Sequence, residues 1–314
     1  MALRAHRGLL LVTLLAACRG AAPAADGVVR ADSAGVRLIT STRADTALTW
    51  RFRAIGDLAH ADGRPWVFSA VSPRQVQTDR AGRTYVLVGD SAIVRFGRDG
   101  RQDRTLGTRG AGPGGVVAPV SIGAQGDTLV VLDRGKGALV RFGPTLDALP
   151  DRPLAGALTG AEWVAFRVGG AWVRRDGVLV ADTVAGTPLL APGVDSAVLP
   201  HAAGPRLLVP AGPGYALRLY EGPRLLAVLR RGGAHATDEI DGVVLQSDAR
   251  MYVRRRAPGD SLVVLDVFGT DGAYVGTLDD AALPVALLPN GELLRARPSA
   301  DGRGVVLTRF QVRR

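Results

Sequence analysis

Short runs of alternating apolar and polar residues fill this chain and are cut by Gly, Asp-Gly and Pro-Gly turns, a pattern that predicts strands and not helices. The clearest unit occurs twice. Residues 76–100 read VQTDRAGRTYVLVGDSAIVRFGRDG, and residues 121–143 read SIGAQGDTLVVLDRGKGALVRFG. Each is an apolar run, a Gly-containing turn, a second apolar run, a polar turn and a strand ending in Val-Arg-Phe, which makes three consecutive antiparallel strands. In the first copy the strands fall at 75–78, 84–88 and 92–96, with a fourth at 102–106.

The aromatic that ends each third strand measures the rest of the chain. Phe96, Phe142, Tyr220, Phe268 and Phe310 occupy equivalent places, and the interval from 142 to 220 is about twice the others. Strands at 163–168, 171–174 and 178–181 fill that interval with a degenerate unit that lacks the aromatic. Six units of roughly forty to fifty residues, four strands each, predict an all-β, six-bladed β-propeller with four-stranded antiparallel blades. A lone small sheet is marginal in water, so the blades must bury their faces on one another, with the five aromatics between them. The last unit, 284–310, ends before a fourth strand can form. A strand near the N-terminus, at 36–40 or 48–52, is therefore expected to complete the last blade and close the ring.

Cys18 is the only cysteine, so no intrachain disulfide can form. Ahead of it stand Arg4, His6 and Arg7, then an apolar run at 8–15 too short to span a bilayer, the layout of a secretory signal. Leu15-Ala16-Ala17-Cys18 resembles the lipobox of bacterial lipoproteins. That resemblance implies cleavage before Cys18 and a diacylglyceryl group on its thiol, with the acyl chains together holding the domain to a membrane. Arg19 follows, so no Asp retention signal is present. The chain divides into a signal peptide (1–17), a lipidated Cys with an Ala-rich flexible tether (18–33) and the propeller (34–314). The expected location is the bacterial cell envelope, lipid-anchored on the periplasmic face or the cell surface, as a monomer.

Several segments carry a second resemblance: Asp79-x-x-Gly82-x-x-Tyr85-Val86, Gly107-x-x-Gly110-x-Gly112-Pro113-Gly114 with Pro119, and Asp127-Thr128-Leu129-Val130-Val131-Leu132-Asp133, together with the Val-Arg-Phe strand ends. They resemble the NHL-repeat family of six-bladed propellers, and in particular NHL-like propeller lipoproteins of bacteria. The match is good over 73–144 and 244–278 and poor over 154–213, and Gly115-Val116 stands where the family usually has an aromatic. The resemblance implies a fold and a tendency to bind, since the family ranges from scaffolds and RNA binders to channel-site enzymes.

Charge and chemistry change this picture little. The net charge of +10 is almost all arginine, with Lys136 the single lysine, and the arginines are spread over every unit, as codon usage would give as readily as a binding face. The Gly-rich stretch 107–115 lacks the Lys-Ser/Thr pair and helix of a phosphate loop, so it reads as a turn between units. Catalytic propellers similar to this one use either a channel cation held by carboxylates and asparagine or several channel histidines. Here the one asparagine, Asn290, sits in a turn, and only His60, His201 and His235 follow the signal. His235-x-x-Asp238-Glu239-x-Asp241 is the one local donor set able to hold a divalent cation, the one cofactor the sequence suggests, but a solvated polar loop entering the fifth blade is the favoured reading of it. No Gly-x-Ser-x-Gly elbow is present. Arg95, Arg141 and Arg309, related by the repeat, could ring an anionic ligand or pair with acids such as Asp90 and Asp133. The exported address disfavours nucleic acid. The expectation is a binding module for an envelope protein, an envelope polymer or a small ligand, with a channel-site metal-assisted hydrolase or lyase as the alternative. No catalytic residue can be picked out. If Cys18 carries the anchor, Cys18→Ser blocks signal processing and moves the protein out of the membrane fraction. Fractionation and the mass of the N-terminal peptide check this.

Overall fold

Val28–Ser33 (β1) and Val36–Ser41 (β2) pair as a hairpin across Ala34-Gly35, whose positive φ values of 53° and 78° give the turn the twist a two-residue hairpin needs. The computed structural model describes residues 27–155, 158–167, 170–175, 178–183, 189–190, 201–203, 206–211, 214–246, 248–259, 261–279 and 282–313. Cys18 and the signal lie outside them. Residues 28–33, expected in the tether, are instead β1, because their alternating backbone bonds are taken up by β2.

Arg51–Asp57 (β3) and Val67–Phe68 (β4) precede the first repeat. A four-stranded meander then follows, formed by Val76–Thr78 (β5), Thr84–Val88 (β6), Ala92–Phe96 (β7) and Gln102–Leu106 (β8). Pro119–Gln125 (β9), Thr128–Asp133 (β10), Ala138–Phe142 (β11) and Ala148–Pro153 (β12) repeat it. The degenerate stretch gives Trp163–Arg167 (β13), Gly170–Arg175 (β14), Val178–Thr183 (β15) and Leu189–Leu190 (β16). His201–Ala203 (β17), Arg206–Pro210 (β18), Ala216–Glu221 (β19) and Arg224–Arg231 (β20) form a meander that β2 and β1 extend to six strands. Glu239–Leu245 (β21), Met251–Arg256 (β22), Val263–Phe268 (β23) and Tyr274–Leu278 (β24) form another of four. Ala286–Leu287 (β25), Leu293–Pro298 (β26) and Val305–Arg313 (β27) complete a sheet with β3, and β4 joins β27.

Each sheet packs face to face with the next through its own apolar core. Tyr85, Leu87 and Ile93 meet Ile122, Val131, Val140 and Phe142. Val130, Leu132 and Leu139 meet Val164, Ala171 and Val173. Trp163 and Trp172 meet Leu207, Val209 and Tyr220. Leu208, Leu217 and Leu229 meet Val243, Met251 and Phe268, and Val244, Tyr252 and Leu265 meet Leu293 and Phe310. Val86, Val94 and Phe96 of the first repeat meet Leu288, Leu294 and Leu307 of the last. The five aromatics of the repeat each enter a different one of these cores, as expected of them. The architecture is an all-β propeller with four-stranded antiparallel blades.

The last sheet takes its outer strand from the N-terminal side, through antiparallel pairing of β3 with β27. Of the two expected segments, 48–52 overlaps that strand at Arg51 and Phe52. The other, 36–40, is spent elsewhere: β2 runs parallel to β20 from Arg37 opposite Ala227 to Ser41 opposite Arg231. Between the two the chain crosses the outer edge of β24, where Leu48 N–H donates to Thr277 O (2.9 Å) and Thr277 N–H to Thr46 O (2.8 Å). The N-terminal segment is thus a belt over three consecutive sheets.

A buried charge network pins this belt. Arg255 donates to Asp266 (2.9 Å), Asp238 (2.7 Å) and Asp45 (2.6 Å), the last on the belt itself. Arg231 lies 3.5 Å over the Tyr274 ring and donates to Asp45 and to Arg43 O, both at 3.0 Å. Burial opposes the charge on Asp45, but Arg255, His235 and Arg231 outweigh it and hold its carboxyl below the ordinary range. Burial likewise opposes the Arg255 charge, and Asp266 and Asp45 overcome it, raising the guanidinium above its ordinary value. Asp266 is fully buried and also accepts from Tyr215 (3.0 Å) and Thr277 (2.7 Å). Asp266→Ala, which strands a buried guanidinium, lowers stability by about 3–5 kcal/mol. Urea unfolding measures it, and a loss under about 1 kcal/mol would contradict the role of the network.

Candidate functional site

In each meander the first strand lies innermost, and these strands surround a central cavity of about 1010 Å³. Its wall includes Val76–Thr78 of β5, Ile122–Gln125 of β9, Trp163–Ala165 of β13, His201 and Ala202 of β17, Ile240–Val243 of β21, and Leu283 ahead of β25. The space exists because the inner strands carry small residues at the wall: Gly123, Ala124, Ala165, Ala202 and Gly242. The volume is at the upper end for sites that enclose a small molecule.

Turns between first and second strands bring polar groups to the wall. At the first of these, Gly82 takes φ +77° and its N–H donates to Asp79 O (3.0 Å), the geometry that the Asp-x-x-Gly spacing requires. The turn aims the Asp79 carboxylate at Arg83, which donates from Nε (2.6 Å) and from its backbone N–H (3.0 Å), and Tyr85 donates its hydroxyl (3.1 Å). Burial, then Asp79, raises the Tyr85 hydroxyl above its ordinary value, so it stays a donor. Elsewhere on the wall Asp241 accepts from Arg254 Nε at 2.7 Å. His201 accepts at Nδ1 from Leu245 N–H (3.3 Å), which places the proton on Nε2. Surrounding protein lowers its pKa to about 4 by desolvation, so the ring is neutral at pH 7.

The sequence candidates do not converge on this cavity. His235 and Asp238 do meet, Nδ1 to Oδ2 at 3.0 Å, but inside the belt network, where Asp238 is committed to Arg255 and His235 Nε2 lies 3.2 Å from Asp45. Glu239 is exposed at the start of β21, and Asp241 faces the cavity with Arg254. Asp238 precedes β21, which begins at Glu239, and the register of β21 shifts between Ile240 and Gly242, at Asp241, so the three acids do not share one regular face. Among the described residues no group of three His, Cys, Asp or Glu side chains is arranged to hold a metal.

Arg95, Arg141 and Arg309 form no ring around a ligand. They stand on β7, β11 and β27, third strands removed from the axis, and none lines the cavity. Arg95 pairs with Asp103 (2.6 Å) and Arg309 with Glu292 (2.7 Å), while Arg141 is half-buried. Asp103 outweighs the effect of burial on Arg95 and raises its pKa. The acids expected as their partners do other work. Asp90 lies 3.6 Å from Arg109, and Asp133 accepts from the N–H groups of Val117 (2.6 Å), Ala118 (3.0 Å) and Lys136 (3.0 Å).

The Gly-rich stretch is built the opposite way from a phosphate cradle. Lys136 Nζ donates to the carbonyls of Gly112 (2.9 Å) and Gly115 (3.1 Å) and pairs with Asp151, with its side chain 6% exposed. Carbonyls turned onto a buried ammonium leave no row of N–H groups for an anion.

Fold and cavity define a β-propeller with an open central site. No family model and no curated protein matches the sequence. Solved structures do match in fold. One is a Bacteroides fragilis protein whose name marks export as an inference, with TM-score 0.63 and 9% identity over 88% of this chain and 100% of that one. Another is a member of the DUF4221 family from Bacteroides vulgatus, with TM-score 0.56 and 10% identity over 84% of this chain and 98% of that one. At such identities the likeness is one of fold. Among the described residues no helix is long and apolar enough to cross a membrane.

The cavity wall makes one pH prediction. An unfolded His201 titrates near 6.5 and the folded one near 4, so its contribution to stability is complete above pH 6.5 and is lost as pH falls from 6.5 towards 4. Because the ring is only half-buried on its cavity side, the slope is shallower than that of a sealed histidine. His201→Gln removes this pH dependence from the variant, so the difference in unfolding midpoint between wild type and variant changes with pH over that window. Parallel melts from pH 4 to 7.5 test it, and a difference that does not change with pH would refute it.

Proposed function

We propose that the chain is an exported binding module whose blades close as a six-bladed ring and which takes a ligand or partner segment into its central cavity. What supports the closed ring is that the first and last repeats share a core and that the cavity wall draws on the innermost strands of five successive meanders and on Leu283 ahead of the last sheet. The observation that carries binding is the cavity itself, about 1010 Å³ with apolar and polar wall residues and with Asp79 and Asp241 each held by an arginine. Carboxylates committed in this way are poorly placed to act as general acid and base or as metal ligands. The membrane address, with lipid on Cys18, rests on residues 1–18 and their lipobox resemblance, and a structural neighbour named for export fits it. The NHL-like character rests on the Asp79 turn and the equivalent strand ends.

Thermal unfolding of residues 27–314 against fractions of an envelope extract tests the proposal. A fraction that binds the folded state raises the midpoint by mass action, and Ala202→Phe, which puts a ring into the cavity at its wall, reduces the rise. Chelation is expected to leave the midpoint unchanged. If chelation lowers it and one divalent ion restores it, the channel-site hydrolase or lyase reading takes its place.

A further inference from the structure

The cavity wall carries an imbalance of charge that the binding reading does not by itself explain. Four arginines, Arg74, Arg80, Arg83 and Arg254, and three aspartates, Asp79, Asp127 and Asp241, line it. Asp79 is held by Arg83 and Tyr85, and Asp241 by Arg254. Three side chains remain: Arg74, Arg80 and Asp127 have no side-chain hydrogen bond or ion pair among the described residues. Arg74 belongs to the turn Pro73–Gln75 that enters β5, and Arg80 to the turn that leaves it, so this inner strand carries a free guanidinium at each end. An extended run of that length spans at most about 20 Å, within reach of a single elongated ligand. The wall also carries apolar side chains, Ile122, Leu129, Trp163, Ile240 and Leu283, beside the uncharged polar Gln77, Thr78 and Gln125.

We infer, resting on the binding reading above, that the cavity takes an amphipathic anion: an apolar body along this wall with a carboxylate, sulfonate or phosphate group at Arg74 or Arg80. Guanidinium presents a planar fork of donors to such groups, and the apolar wall excludes an ion that lacks a body to fill it. His201 adds no charge at neutral pH, and Asp127 is the single free acid that opposes the two free arginines.

The test uses residues 27–314, which carry every strand and core described above, and two fluorescent probes of similar size, anilinonaphthalene sulfonate and uncharged phenylnaphthylamine. The anionic probe is expected to bind about fivefold or more tightly than the neutral one, which corresponds to one partly screened charge contact. Arg74→Gln/Arg80→Gln removes that preference and leaves the neutral probe unaffected, whereas Asp127→Asn increases it. Ala202→Phe, or Ala124→Phe should the first variant fail to fold, removes both. Dodecanoate displaces the anionic probe and inorganic phosphate alone does not. Equal binding of the two probes, or a preference that survives loss of both arginines, overturns the anion inference and leaves cavity binding standing. Displacement by phosphate as readily as by dodecanoate overturns its apolar half. If neither probe binds the wild type, the cavity-binding reading itself falls. Urea curves for each variant separate lost binding from lost fold.

Discussion

A sheet of four strands with apolar side chains on both faces has to be covered on both, and covering one sheet with a second leaves two outer faces still bare. Packing each sheet on the next covers them, and the apolar cores run from sheet to sheet in this way, one of them bringing residues of the final repeat against those of the first. The final sheet carries its own difficulty. The final repeat has three strands of its own, and its neighbours' fit depends on the fourth coming from the other end of the chain. The belt solves this, and it brings Asp45 as an acceptor to two buried arginines, Arg231 and Arg255. Covalent order along the chain and spatial order around the axis are thereby locked together.

The repeat was legible because each of its signals has a local cause. Turn residues sit where the backbone needs them, as at Gly82, and the recurring aromatic sits where two sheets meet, as at Phe96 and Phe268, both fully buried. What was not legible depended on partners far away in the chain. Nothing in residues 36–41 distinguishes a strand that will complete the last sheet from one that will run parallel along β20. That choice is made by Ser41, Asp45 and Thr46 finding Tyr274, Arg255 and Thr277.

The candidate site shows the same division. Residues were singled out by chemical type, His235, Asp238 and Asp241, or by equivalence in the repeat, Arg95, Arg141 and Arg309. Equivalence was real but fell on the third strand, which faces its neighbours in the sheet and not the axis. The usable signal was the recurrence of Gly and Ala in the first strand of successive repeats, Gly123-Ala124, Ala165 and Ala202, which leaves room at the axis. Small residues carry no chemistry and so attract no notice in a search for ligands. Their contribution is the absence of side chain where the strands converge.

Lys136 brings a practical consequence. It is the one lysine in 314 residues, and its ammonium is enclosed by two carbonyls and a carboxylate. Reagents that attack primary amines, the usual cross-linking esters, biotinylation reagents and aldehyde fixatives, therefore find no exposed side-chain handle on this surface. A bound partner would go uncaptured by them, and guanidinium-directed or photoreactive chemistry is the route by which such a contact becomes visible.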